Sequence, residues 1–366
     1  MKISLRTIVT IVALPPPTHG QAVVNQAIVD ALSSTSVPIK VVNTSPGALR
    51  KGLSYHVTRM RLHILRAIPA ILHAKNGLLY GVVEPGFGIG YNFLTLLFAR
   101  LMHLRIVLHH HSALYTKTFD RRFDWLSRLA GKRTLHVALD EFMAKDIRAH
   151  YPFAENVVVA HNASHVAQPI LEQPKTRALT CGFMSNLSRE KGLDTFFDCL
   201  RAARSAGLDL RAILAGPPAS QEAERMIAAA RDEFGDMLDV VGPVSGASKQ
   251  AFFRSIDVFL FPTRYRVEGQ PLVILEAMSY GIPVVSTHQG YCAELVGSAG
   301  ASAPIASFVT VANGFLTQCH NDTGYLRKMA AVARERYEML KRDADAQMND
   351  LVSEICSSGG CVLADA

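Results

Sequence analysis

The chain has 366 residues, 49% apolar and 19% charged, a composition that excludes disordered, collagen-like and low-complexity proteins. At roughly 100–200 residues per domain, that length fits two domains. The net charge of +7 divides into 21 Lys/Arg against 9 Asp/Glu over residues 1–178, and 17 against 22 over residues 179–366, so the first half is expected to meet something anionic.

The N-terminal Met1-Lys2-Ile3-Ser4-Leu5-Arg6 leads into an apolar run, Thr7–Leu14, that ends in Pro15-Pro16-Pro17 without a small-residue cleavage site. It reads as a first buried strand, not a signal peptide. Further strands are predicted at Ile39–Val42, Gly77–Val83, Leu104–Leu108, Leu135–Leu139 and Asn156–Val159. Helix-period segments lie between them at Ala22–Leu32, Tyr55–Leu72, Tyr91–Met102 and Asp120–Leu129. In the second of these, Met60, Ile64, Ile68 and Ile71 are expected on one face, with Arg59, His63, Arg66 and His73 on another. Such a basic amphipathic helix suits an anionic membrane surface, or else packs on its own sheet.

Residues 166–177 hold two prolines and no period, and are expected to link a domain over 1–165 to a second over 178–335. In the second, strands are predicted at Leu179–Phe183, Leu210–Ala215, Leu238–Val241, Val258–Phe261 and Val284–Ser286. Helices are predicted at Gly192–Ala206, Ala223–Glu233, Lys249–Arg254 and Pro271–Tyr280. Asp322–Ile355 reads as one or two long helices, of which 336–355 would pack back toward the first domain, and 356–366 is expected to be a loose tail. Strands alternating with helices imply α/β, doubly wound parallel sheets, and two such Rossmann-like domains predict a central cleft where ligands meet. Six cysteines form no C-x-x-C pair and no disulfide framework, which favours a reducing compartment. No run of 18 apolar residues marks a membrane span.

The richest stretch runs from Phe261 to Pro283 (FPTRYRVEGQPLVILEAMSYGIP). A buried strand enters a polar loop, Pro271 stands where a helix begins, and Gly281 ends that helix. The free N–H groups at the helix start suit a diphosphate. Glu276 sits among Leu272–Leu275 and Ala277-Met278, and a carboxylate in so apolar a run needs a partner, for which sugar hydroxyls qualify.

Glu268-x7-Glu276 resembles the signature of the retaining group 1 (family 4) glycosyltransferases of GT-B fold. Other pieces follow in order: Pro16-Pro17-Thr18-His19-Gly20-Gln21 resembles the glycine loop, and Leu108-His109-His110-His111-Ser112 the cleft histidine segment. His161-Asn162-Ala163 resembles the P-N-G turn, and Ser185-Asn186-Leu187-Ser188-Arg189-Glu190-Lys191-Gly192 the donor loop. Leu214-Ala215-Gly216-Pro217 and Val241-Gly242-Pro243-Val244 match two strand-end turns. The chain departs from the family where the donor-loop arginine is Asn186 and where Gly-Gly of the first loop is His19-Gly20.

The resemblance implies a metal-independent, retaining hexosyltransferase with no cofactor, its nucleotide-sugar (UDP- or GDP-) being a co-substrate. Glu268 would contact the donor sugar, Lys191 the diphosphate, and His111 the sugar, with His110 as the alternative register and His19 a further cleft residue. Glu276 would hold the ribose; Gly269, Gln270 and Gly20 would complete the phosphate cradle with Arg189 and Asn186, and Gly216 and Val244 would border the base. The implied acceptor is a saccharide or polyprenyl-linked saccharide of surface polysaccharide or glycolipid biosynthesis. The implied location is cytoplasmic, peripheral on the inner face of the membrane. A catalytically silent homologue acting as a membrane-associated scaffold or binding module is the alternative, with Asn186 as its main support.

Three bland patterns are set aside. His109-His110-His111 alternates faces along a strand with no carboxylate nearby, so no metal site is expected. Asp343-Ala344-Asp345 lies in a charged helical run and is expected to be solvated. Gly86-Phe-Gly88-Ile-Gly90 has the wrong spacing for a dinucleotide fingerprint. No zinc knuckle, RNP-like aromatic pattern or long cationic tract points to nucleic acid.

Overall fold

The computed structural model describes residues 7–47, 52–74, 76–169 and 178–358. It divides into two compact units, Met1–His165 with Asp343–Ala366, and Val166–Arg342. Residues 170–177 of the expected linker, residues 359–366 of the expected tail, and Cys361 lie outside the described residues.

The first unit runs β1 (Ile8–Val12), α1 (Gly20–Ser33), β2 (Ile39–Asn43), α2 (Leu53–Leu62), α3 (Ile68–His73), β3 (Leu78–Val83), α4 (Ile89–Leu101) and β4 (Arg105–His110). It continues through α5 (Ala113–Thr116), α6 (Arg121–Ala130), β5 (Leu135–Ala138), α7 (Glu141–His150) and β6 (Val157–Val159). Its described strands form a parallel sheet in the order β2-β1-β3-β4-β5-β6. Every residue of β1 and β3 is buried, as a sheet covered by helices on both faces requires, whereas the edge strand β2 is part exposed.

The second unit runs β7 (Leu179–Met184), α8 (Leu193–Ser205), β8 (Leu210–Ala215), α9 (Gln221–Phe234), β9 (Leu238–Gly242), α10 (Gly246–Ser255) and β10 (Val258–Phe261). Then come α11 (Leu272–Ser279), β11 (Val284–Thr287), α12 (Cys292–Val296), β12 (Gly300–Ala303), α13 (Phe308–Asn321) and α14 (Thr323–Ser358). The sheet is again parallel, ordered β12-β11-β10-β7-β8-β9. Phe183, Phe196, Phe253, Phe259, Phe261 and Phe308 are fully buried in this unit. The helix α14 is continuous across residue 336, and its last part, from Asp343, groups with the first unit, where Gln347 Oε1 accepts the His161 N–H at 3.1 Å. Asp343 and Asp345 are exposed on it.

The amphipathic reading of residues 57–73 needs correction. A π-helical turn, His63–Ala67, interrupts the helix, and Arg59 and His63 point inward at 4% and 2% exposure. Ile64 and Leu65 are exposed instead. The cause is a buried partner: Arg59 forms an ion pair with Glu84 at 2.9 Å, and a π turn rotates the residues after it relative to a 3.6-residue period.

Candidate functional site

The carboxyl end of β10 organises the second unit. Thr263 is fully buried; its hydroxyl accepts the Tyr265 N–H (3.1 Å) and donates to Glu268 Oε2 (3.2 Å). Its carbonyl accepts the hydroxyl of Thr287, at the end of β11 (2.6 Å). Glu268 N–H closes the turn onto Tyr265 O at 3.0 Å. Held from behind in this way, the Glu268 carboxylate meets Lys191 Nζ at 2.5 Å. The Lys191 Nζ also lies 4.3 Å from the Tyr265 ring centroid. Side-chain exposures of 20% for Lys191 and 10% for Glu268 leave the pair shielded yet reachable.

Lys191 is delivered by the turn after β7. Gly192 has φ +89°, and a Cβ there would lie 2.0 Å from Pro262 O, so only glycine lets this turn close on the end of β10. The turn after β8 is as tight: Gly216 has φ +125°, its N–H donates to Gly242 O at 2.7 Å, and a Cβ would lie 1.8 Å from Ser185 O. Thus the ends of β7, β8, β9 and β10 converge.

Glu276, on α11, pairs with Lys249 of α10. That lysine is the partner the apolar run demands, and the sequence reading missed it. Nothing in its local pattern marks a residue 27 positions away as a contact of Glu276. Gly269 and Gln270 are buried just before α11. The helix begins at Leu272, so Pro271 is the residue preceding it and not its first residue. Asn186 is half-buried after β7, and Val244 is half-buried before the Ser245 cap of α10. Arg189 does not join Lys191 and Glu268: it pairs with Glu222 (2.9 Å) and Asp194 (3.1 Å), and Asp194 also takes Arg264 (2.7 Å).

In the first unit, His19 caps α1, its Nδ1 accepting the Ala22 N–H at 3.3 Å, and Gly20 opens that helix. Both ring nitrogens of His110 are used in the interior, by the Tyr115 hydroxyl (3.1 Å) and His136 Nδ1 (3.0 Å), so the alternative register at His110 is a core position. His109 Nδ1 meets the Tyr80 hydroxyl at 2.6 Å. His111 follows the strand, its ring centroid 4.1 Å from that of His109, and its buried Nε2 has no hydrogen-bond partner among the described residues. Burial, then the neighbouring His165, pushes the His111 imidazole down to about 3, and burial holds His109 and His110 well below the usual range. All three are neutral at pH 7. No group of three His, Cys, Asp or Glu among the described residues is arranged to hold a metal ion.

Two doubly wound parallel-sheet units with converging strand-end turns put the chain in the GT-B class of fold. Residues 178–329 match the family model described as glycosyl transferases group 1, the family that the motifs of this part of the chain resemble. The chain is 34% identical over 209 residues to the lipopolysaccharide core biosynthesis mannosyltransferase LpsB of Rhizobium meliloti (strain 1021). That match takes in 53% of this chain and 55% of LpsB, about half the length of the relative. The sucrose-phosphate synthase of Thermosynechococcus elongatus superposes with a TM-score of 0.73 at 13% identity, over 96% of this chain and 100% of that one. Anabaena HepE in complex with UDP gives 0.69 at 17%, over 97% and 100%. At such identities the two structures establish the fold alone.

Proposed function

We infer that the chain is a retaining glycosyltransferase that moves a hexose-type sugar from a UDP- or GDP-sugar to a saccharide or lipid-linked saccharide hydroxyl, in the biosynthesis of surface polysaccharide or glycolipid. The observation that carries this reading is the Lys191–Glu268 pair at the strand ends of the group 1 domain. LpsB, by its name a lipopolysaccharide core mannosyltransferase, and HepE, crystallised with UDP, support the substrate classes.

The chemistry asks for charge stabilisation more than covalent help. As the sugar–phosphate bond breaks through an oxocarbenium-like state, negative charge grows on the diphosphate. A preorganised cation and helix N–H groups aimed at that charge lower the barrier. Without substrate, Lys191 and Glu268 neutralise each other. With a donor bound, Lys191 turns to the diphosphate, which releases Glu268 to accept hydroxyls of the sugar. Glu276 then accepts from the ribose, and protein cations replace a metal, so a chelator should leave the rate unchanged.

A peripheral position on the cytoplasmic membrane face is part of this reading. Residues 31–83 hold seven Lys/Arg and no Asp/Glu, and Ile64, Leu65 and Leu72 are exposed beside exposed Arg61 and Arg66. No helix of the described residues is long and apolar enough to cross a membrane. Co-sedimentation with phosphatidylglycerol vesicles, lost on Leu65→Glu, tests it.

The deciding experiment is thermal stabilisation by a panel of UDP- and GDP-sugars, wild type beside Glu276→Ala, followed by nucleotide release. A donor that binds only the folded chain raises its melting temperature. Selective stabilisation by one donor, lost in the variant, together with release of nucleotide supports transfer. A flat response with no turnover leaves a silent scaffold as the better reading.

A further inference from the structure

The sheet order of the first unit reverses between β1 and β3, and ligands of open α/β sheets bind where such loops diverge. Glu84 is the first residue beyond β3 at this point, and several residues are committed to holding it. Arg59 binds its carboxylate at 2.9 Å and also reaches Thr44 Oγ1 at 3.2 Å. Asn92 Oδ1 accepts the Glu84 N–H at 2.9 Å, while its Nδ2 donates to Val82 O at 2.8 Å. A Cβ on Gly88 would lie 2.4 Å from Glu84 Cβ, so this one glycine of the 86–90 pattern lets the turn close over the glutamate.

At the tip of the turn stands Phe87, 84% exposed. Its ring is edge-on to His56 at 6.0 Å, and His56 Nδ1 lies 2.5 Å from the Tyr91 hydroxyl. Polar atoms without hydrogen-bond partners among the described residues also gather here. There His63, 2% exposed, has both ring nitrogens unmet and Arg59 has its Nε unmet, and the two side chains line a small cavity with Thr44, Glu84 and Asn92. On the adjacent strand, paired through Val83 and His110, the unmet Nε2 of His111 belongs to a ring that feels the Glu84 charge.

An exposed ring three residues along a tight turn from a fixed, part-exposed carboxylate is what a pyranose needs. The ring covers its C–H face and the carboxylate takes its hydroxyls. We propose that Phe87 and Glu84 form a saccharide-binding site, with Phe87 as the stacking platform, Glu84 as the hydroxyl acceptor and Arg59 as the residue that positions Glu84. Its ligand is the terminal pyranose of the acceptor, an identity that rests on the transfer inferred above.

Saturation-transfer NMR with methyl α-D-mannopyranoside and methyl α-D-glucopyranoside tests the site on the full chain. Loss of one stacked ring is worth about a tenfold weakening, so Phe87→Ala should cut the ring-proton saturation about tenfold while Phe87→Tyr retains it. Phe87 is solvent-facing, so these variants fold even if Glu84→Gln does not. Equal saturation in wild type and Phe87→Ala, or none in wild type, overturns the site. The two ideas fail separately. Donor turnover with Phe87-independent glycoside binding overturns the site and leaves the transferase reading standing. A Phe87-dependent signal in a protein that turns over no donor supports the site and overturns the assignment to an acceptor.

Discussion

Gly216 shows how little freedom remains where the strand-end turns meet. Its φ of +125° and the 1.8 Å that would separate an added Cβ from a backbone oxygen leave no flexible side chain to yield. Gly216→Ala should therefore cost more than about 2 kcal/mol in urea unfolding. Gly207, also at positive φ (+72°) but with nothing within 4 Å, should cost less on the same substitution. Lys249 poses the opposite case. With its side chain 37% exposed, its pair with Glu276 should contribute under about 1 kcal/mol to stability. Yet if Glu276 holds the ribose, Lys249→Met should weaken nucleotide binding by about tenfold, measured by calorimetry with UDP and GDP. An unchanged affinity would reduce Lys249 to a link between two helices. Glu268, Glu276 and Lys191 stand out in the sequence as candidates because their spacing and helix punctuation are local. Lys249 does not, because an ion pair between two helices leaves no period in the sequence.

Elements were legible where burial imposes a pattern. The fully buried strands β1, β3 and β7 stand out as apolar runs, whereas β12, Gly-Ala-Ser-Ala, carries none and exists because it pairs with β11 at the sheet edge. There a Cβ on Gly300 would lie 1.9 Å from Val284 O, so close backbone approach, invisible to a hydrophobic scan, makes the strand. A 3.6-residue period misplaces the faces of the α2–α3 segment, because it cannot anticipate a π turn or an arginine drawn inward by Glu84. That pair ties α2 to the turn after β3 and gives a prediction at this scale. Arg59→Met leaves Glu84 without its main counter-charge and should destabilise the first unit by about 3 kcal/mol. Arg59→Met with Glu84→Met should recover most of that loss, since an apolar pair of similar volume replaces two desolvated charges. If the double variant is no more stable than the single one, the pair is not what fixes the segment.

At the scale of the whole molecule, the buried histidines separate the two units chemically. His63, at about 4, and His111 and His136, at about 3, are held down chiefly by burial, with His109 and His110 well below the usual range, and all five belong to the first unit. Each stays neutral in the folded unit while its unfolded counterpart takes a proton near pH 6.5. The folded pKa lies below the unfolded one, so this stability is whole above pH 6.5 and is lost as pH falls from there toward 3. Each histidine removes up to about 1.4 kcal/mol per pH unit in that window. Among the described residues no histidine of the second unit is buried, so acid should open the first unit before the second. The single tryptophan, Trp125 on α6, reports on the first unit alone, whereas far-ultraviolet circular dichroism reports on both. Between pH 8 and pH 5 the thermal midpoint followed by Trp125 fluorescence should fall well ahead of the dichroism midpoint, leaving a residual transition from the second unit. His136→Gln should flatten the fluorescence slope by up to one proton, because it removes one titrating group and keeps an amide able to meet His110. Coincident midpoints at every pH would mean that the two units unfold as one or that the histidines do not set acid stability. Measuring the His136→Gln slope separates those outcomes, since it stays flattened in the first case and is unchanged in the second.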